Sequence, residues 1–99
     1  TASWILLGQP NSMNLSFGST AHGAGRTMSR SKARRDFTED NVRKSLSDKG
    51  IFIKALTRDG VVEETPQAYK DVDAVVNVSH NLGIATKVAK LVPIGVIKG

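Results

Sequence analysis

Val72-Asp73-Ala74-Val75-Val76-Asn77-Val78-Ser79-His80-Asn81-Leu82-Gly83, followed directly by Ile84-Ala85-Thr86-Lys87-Val88-Ala89-Lys90-Leu91-Val92 and then Pro93, decides the fold class. Val72, Val75, Val76 and Leu82 recur at helical spacing and share a face that Ser79 interrupts, and Gly83 stands where a helix end favours a side-chain-free residue. Periodicity alone leaves residues 84–92 open between helix and strand. Their β-branched residues and the closing Pro93 favour a strand. A helix feeding a strand makes the chain α+β, with mixed strands and short helices around one core.

Upstream, the same criteria give alternating short elements. Pro66 after Thr65 suits the first turn of a short helix. Ile51 to Leu56, an Asp59-Gly60 turn and Val61 to Glu64 form an expected hairpin. Thr38-Glu39-Asp40-Asn41 opens a helix with acidic residues at its positive end, Val42 and Leu46 facing inward and Gly50 as its stop. From Thr27, a candidate cap, a basic helix is expected; Arg26, Arg30, Lys32, Arg34 and Arg35 fall within ten positions. Residues 18–25 are polar and glycine-rich with no apolar period, and Leu15 to Phe17 is expected to be a short extended piece. Before a turn at residues 8–12, Ala2-Ser3-Trp4-Ile5-Leu6-Leu7 reads as a strand with apolar residues on both faces, which needs cover on both sides. The closing stretch is Ile94-Gly95-Val96-Ile97-Lys98-Gly99.

Ninety-nine residues allow one domain at most and only a small core. A double-faced strand at the very start points to a piece of a larger protein, although an expressed domain trimmed of its Met looks the same. The chain carries 14 basic and 9 acidic residues, net +5, which favours a polyanionic partner while fitting ordinary solvated lysines too. It contains no cysteine, which excludes disulfides and thiolate metal sites and suits a cytoplasmic setting. No apolar run approaches the roughly 20 residues of a membrane span, so no membrane association is expected.

The chemically informative cluster is Gly18-Ser19-Thr20-Ala21-His22-Gly23-Ala24-Gly25-Arg26. Small neighbours leave room beside the histidine. Backbone N–H groups of such a loop, a helix N-terminus and Arg26 together suit a phosphate, whose oxygens take several donors at once. A neutral imidazole nitrogen held there is a competent nucleophile toward phosphorus. A solvated or structural loop histidine has the same local sequence, and the glycine spacing matches neither the dinucleotide fingerprint nor the P-loop. Among the basic residues, Arg26 and Arg30 are favoured for phosphate or RNA backbone contacts, since a helix turns some of the others away. His80, near the end of the valine-rich helix, suits a structural role.

Three ordered blocks resemble a known family. Phe17-Gly18-Ser19-Thr20-Ala21-His22-Gly23-Ala24-Gly25-Arg26-Thr27-Met28-Ser29-Arg30 is similar to the signature of RtcB RNA ligases, and Ala68-Tyr69-Lys70-Asp71-Val72-Asp73 and Gly95-Val96-Ile97-Lys98-Gly99 resemble two later blocks. Ala21 departs from the family, which often has cysteine there, and Trp4 stands where tyrosine is expected. The resemblance implies that residues 1–99 are a single C-terminal segment of the larger RtcB-type fold, with a nucleotide-binding loop at 18–26 and a C-terminal strand at 86–99.

It also implies a GTP-dependent ligase, used in tRNA splicing and RNA repair, that joins an RNA 3′-phosphate or 2′,3′-cyclic phosphate to a 5′-hydroxyl. His22 matches the nucleophile that becomes guanylylated. Gly23, Ala24 and Gly25 match the loop lining the nucleotide, Ser3 a nucleotide-contacting serine, Tyr69 a residue beside the guanine and Lys98 a lysine that reaches it. The family's Mn²⁺ ligands come from sequence upstream, so none is assigned here, and the 99 residues alone are expected to be inactive. Expected partners are RNA such as tRNA halves, the upstream portion of the ligase, and the activating protein archease. Two other readings remain: a non-catalytic basic module that binds nucleotide or RNA, and an inactive structural fragment.

Overall fold

The structure, a computed structural model, describes residues 2–98. Helices and strands both form, as the α+β expectation requires. The chain divides into two compact units, residues 1–25 with 70–92 and residues 26–69 with 93–99. The expected strand 86–99 is two strands, Ala85–Leu91 and Gly95–Lys98, one in each unit. Pro93 lies between them and has no N–H to carry a ladder onward. The outermost residues of the two expected segments, Thr1 and Gly99, lie outside the described residues.

The first unit holds β1 (Ser3–Gly8), α1 (Ser12–Ser16), α5 (Val72–Asn81) and β3 (Ala85–Leu91). β1 and β3 pair antiparallel, Ser3 opposite Leu91 and Gly8 opposite Ala85, with an irregularity between Ile5 and Leu6. The β1 expectation is met with a difference in burial. Trp4 and Leu6 are half-buried, whereas Ile5 and Leu7 are exposed, so the second apolar face has no cover within this unit. Trp4 is fixed by its indole N–H, which donates to Asp73 Oδ1 at 2.8 Å, and by Lys87 and Lys90 over its ring at 5.4 and 5.6 Å. The Lys90 and Trp4 hydrogen bonds hold the Asp73 carboxyl below its ordinary range.

Residues Leu15 to Phe17 are not an extended piece. Ser12–Ser16 is a short helix that Phe17 ends in the left-handed region at φ 55°, its N–H donating to Met13 O. Three residues carry too little pattern to separate strand from a single helical turn. In α5, Val76 is buried as expected, but Ser79 shares that buried face while Leu82 is exposed. His80 has the structural part given to it, its Nδ1 accepting the Lys87 N–H at 3.0 Å.

The second unit contains α2 (Arg30–Asp36), α3 (Glu39–Ser47), β2 (Phe52–Ala55), α4 (Arg58–Val62), a 3-10 turn at Pro66–Ala68 and β4 (Gly95–Lys98). Its core is Val42, Leu46, Ile51, Ile53 and Val61, with Phe37, Ala55 and Val96 packed against it. α3 starts at Thr38, whose side chain accepts from Asn41 N–H, and buries Val42 and Leu46 as its spacing predicts. The basic helix begins later than expected: Ser29, not Thr27, caps it by accepting from Lys32 N–H. The residues after β2 form no hairpin. Thr57 caps α4 by accepting the Gly60 N–H, which draws Asp59 and Gly60 into the helix and buries Val61 and Val62 together. β2 pairs instead with β4, in parallel, with Ala55 opposite Lys98.

Candidate functional site

In the first unit the glycine-rich loop is held at both ends. Ser16 Oγ donates to Ser19 O at 2.6 Å, and Thr20 Oγ1 lies 2.9 Å from the buried Ser79 Oγ. At the far end Gly25 O accepts the Lys70 N–H at 3.0 Å. A hydroxyl on the buried side of α5 thus has a use that hydrophobic spacing does not reveal: it secures the loop. His22 stands between these anchors and is exposed. Ala24 is half-buried, and Gly23 is exposed, with nothing within 4 Å of where a Cβ would stand. Ser3 is exposed on β1, opposite Leu91.

Gly25 adopts φ +74°, where an L side chain is strained. Gly25→Ala is expected to destabilise the fold by about 1–2 kcal/mol, the cost of placing a Cβ in the left-handed region. Urea unfolding checks this, and a midpoint equal to the parent's would show that the loop takes another backbone path.

In the second unit five side chains converge on two adjacent glutamates. Arg26 is half-buried and its Nη1 donates to Tyr69 Oη at 3.1 Å and to Glu63 O at 2.9 Å, while its Nε donates to Met28 O at 3.0 Å. Its guanidinium lies 4.9 Å from the Tyr69 ring centroid, covering one aromatic face. Arg26 Nη2 is the one buried side-chain nitrogen or oxygen without a partner among the described residues. The Tyr69 hydroxyl donates to Glu64 Oε2 at 2.9 Å, and Lys98 Nζ lies 3.3 Å from Glu64 Oε1. Arg30 Nε is 3.4 Å from Glu63 Oε2, and Arg34 pairs with Glu63 Oε1.

Lys98 is therefore not a frayed tail. It lies inside β4, where its carbonyl accepts the Leu56 N–H at 3.3 Å. Tyr69 and Lys98, matched to guanine by separate blocks of the resemblance, meet through Glu64. Arg26 and Arg30, expected at phosphate, instead have donors engaged within the unit; Arg30 remains largely open, its side chain 64% exposed. Sequence reasoning missed Glu63 and Glu64. The only signal was two acidic residues beside Thr65-Pro66 in a basic chain, and their role depends on partners far along the sequence.

Tyr69 is the sole tyrosine, so its ionisation can be followed alone. Burial foremost, and then donation to Glu64, raises its pKa above the ordinary phenol value, against the opposing effect of Arg26. The fold favours the neutral phenol. That stabilisation is complete below the unfolded pKa and is lost as pH rises through the folded one. Absorbance titration is expected to give a midpoint above that of free tyrosine, moved down by Glu64→Gln. A parent midpoint at the free value would mean that neither the burial of Tyr69 nor its Glu64 contact persists in solution.

A family model described as tRNA-splicing ligase RtcB matches residues 1–99. The chain belongs to the RtcB family. It is 54% identical over 99 residues to the tRNA-splicing ligase RtcB of Nanoarchaeum equitans, a match covering 100% of this chain and 21% of that protein. The RNA-splicing ligase RtcB of Mycobacterium tuberculosis is 50% identical, with 100% of this chain and 22% of the relative covered. For the tRNA-splicing ligase RtcB of Pyrococcus horikoshii the figures are 50% identity, 100% and 11%. The chain thus spans about a fifth of the length of the first two relatives. Among the described residues, no three His, Cys, Asp or Glu side chains are arranged to hold a metal ion. Nor is any helix among them long and apolar enough to cross a membrane.

Proposed function

We propose that this chain is the C-terminal, nucleotidyl-accepting segment of a GTP- and manganese-dependent RNA ligase. The observation that supports it most is the family match over the whole chain, in which His22 is exposed on an anchored loop of small residues. An imidazole nitrogen of His22 attacks the α-phosphorus of GTP. A P–N bond forms, the bond from the α-phosphorus to the bridging oxygen breaks, and pyrophosphate leaves. An oxygen of an RNA 3′-phosphate then attacks the same phosphorus, the P–N bond breaks, and the guanylate passes to the RNA end. Attack by a 5′-hydroxyl on the RNA phosphorus makes the phosphodiester and expels GMP.

The space at Gly23 suits close approach of phosphate to backbone, with Gly23, Ala24 and Gly25 as the lining and Ser3 as a further nucleotide contact. Tyr69 and Lys98 read the guanine, Lys98 by donating to its carbonyl oxygen. Arg30, the more open of the two arginines, and Arg26 are the candidates for phosphate or RNA. Bound manganese offsets charge on the triphosphate, and its ligands lie outside this segment. The substrates are RNA ends such as tRNA halves in the cytoplasm, and the partners are the upstream portion of the ligase and archease. The 99 residues alone do not ligate.

The test is incubation with α-labelled GTP and Mn²⁺, alone and with the upstream portion in trans, followed by denaturing electrophoresis. Label on this chain that needs the upstream portion, survives alkali and is lost in acid supports a phosphoramidate. Absence of label with a folded upstream portion would sink the assignment and leave a basic binding module.

A further inference from the structure

Glu64 is given no role by sequence, by resemblance or by the family match, yet it joins the two side chains proposed to read the base. We infer that Glu64 is a positioning residue for nucleotide selectivity, setting the Tyr69 hydroxyl and the Lys98 ammonium as a pair; this rests on the function proposed above.

The geometry supplies the reasons. Glu64 Oε2 accepts from the Tyr69 hydroxyl at 2.9 Å and Oε1 lies 3.3 Å from Lys98 Nζ, so one carboxylate engages both. The Tyr69 proton is directed at Glu64, and Arg26 Nη1 donates to the same hydroxyl oxygen at 3.1 Å. Its proton is committed and one aromatic face lies under Arg26, so the Tyr69 ring is held in a fixed orientation. Lys98 has three N–H donors and no acceptor. The ammonium lies against one carboxylate oxygen of Glu64, and its remaining donors are open to an acceptor on a ligand.

The exocyclic carbonyl oxygen of guanine satisfies such a donor, whereas the adenine amino group at the corresponding position presents hydrogens and repels it. Lysine is long and rotamer-rich, and discrimination by its head group depends on something holding that head in place. β4 fixes the Lys98 backbone beside Ala55, and Glu64 fixes the ammonium. The side chains of Glu64 and Lys98 are 24% and 39% exposed, so solvent screens the attraction and the contribution is orientation more than binding strength.

The test measures His22 labelling in the full-length ligase carrying this segment, against concentration of α-labelled GTP and of α-labelled ATP. Glu64→Ala is expected to raise the GTP concentration for half-maximal labelling about tenfold, more than it lowers the maximal rate, and to shrink the preference for GTP over ATP by a similar factor. Glu64→Gln, which keeps an acceptor for Tyr69 and loses the charge facing Lys98, is expected to fall between parent and alanine variant; it serves also where the alanine variant does not fold. Parent-like GTP dependence and preference in both variants, or in Gln alone where Ala is unfolded, would overturn the role of Glu64 while leaving the ligase reading intact. A fall in maximal rate with unchanged concentration dependence and preference would likewise overturn it, since general damage has that signature. Absence of label in the parent overturns the ligase reading itself and the selectivity role with it.

Discussion

His22→Ala is expected to remove nucleotide labelling of this chain, a loss of at least about 10³-fold, because no other group can take over a covalent step that a nucleophile performs directly. The effect should exceed that of any other single change in the segment. His22 is exposed on a loop whose ends are secured elsewhere, at Thr20 and Gly25. Its removal therefore leaves packing intact, and the unfolding midpoint should stay within about 0.5 kcal/mol of the parent, as for other exposed substitutions. The pair of measurements separates chemistry from folding. Retained label in the alanine variant would show that the nucleotide is carried by another residue. Lost label with a lowered midpoint would leave the loss without a chemical meaning.

Ile53→Ala is the largest stability effect expected. Ile53 is 5% exposed in the cluster with Val42, Leu46, Ile51 and Val61, and truncating such a side chain costs about 2–5 kcal/mol in lost transfer energy and residual cavity. A unit this small has stability near the low end of the usual 5–15 kcal/mol, so most of it would go. The consequence reaches the candidate site, since Ile53 lies in β2, the strand that pairs with β4 and holds Lys98. Ile97→Ala, in β4 but 83% exposed, is the matched control and should shift stability by less than about 0.5 kcal/mol. Urea melts followed by the absorbance of Tyr69 compare the two. Equal midpoints would mean that the β2 core contributes little to the unit's stability.

How far such a structure can be read from sequence depends on whether the cause of each element is local. α3 was legible because a cap, a periodic apolar set and a terminating glycine all fall within one short window, and α5 because its apolar spacing ends at Gly83. β3 followed from β-branched residues and Pro93. The expected hairpin failed because Asp59-Gly60 is a turn signal only when nothing upstream captures it, and Thr57 captures it by accepting the Gly60 N–H. Adjacent valines at 61 and 62 fit a strand buried on both faces as well as a short helix buried all round.

The division into two units was invisible for a related reason. Each unit is assembled from segments far apart in the chain, and no composition change marks the crossings. Among the candidate residues, His22 and its small neighbours in the first unit stood out by composition, and the family resemblance supplied Tyr69 and Lys98 in the second. Ser79 and Glu64 could not be found that way. A serine on an apolar helix face and a glutamate before a proline acquire meaning only through partners at Thr20 and at Lys98.

The pairing of β1 with β3 also has a bearing on how the chain is made. On a ribosome, β1 emerges before its partner, which follows roughly 80 residues later, an interval on the order of 4–16 s at ordinary rates of synthesis. Through that interval Trp4, Ile5, Leu6 and Leu7 form an apolar run with unmet backbone hydrogen bonds, the kind of edge that invites pairing with another nascent chain. Translation speed and early chaperone engagement should therefore govern the yield of folded protein more strongly than its final stability does.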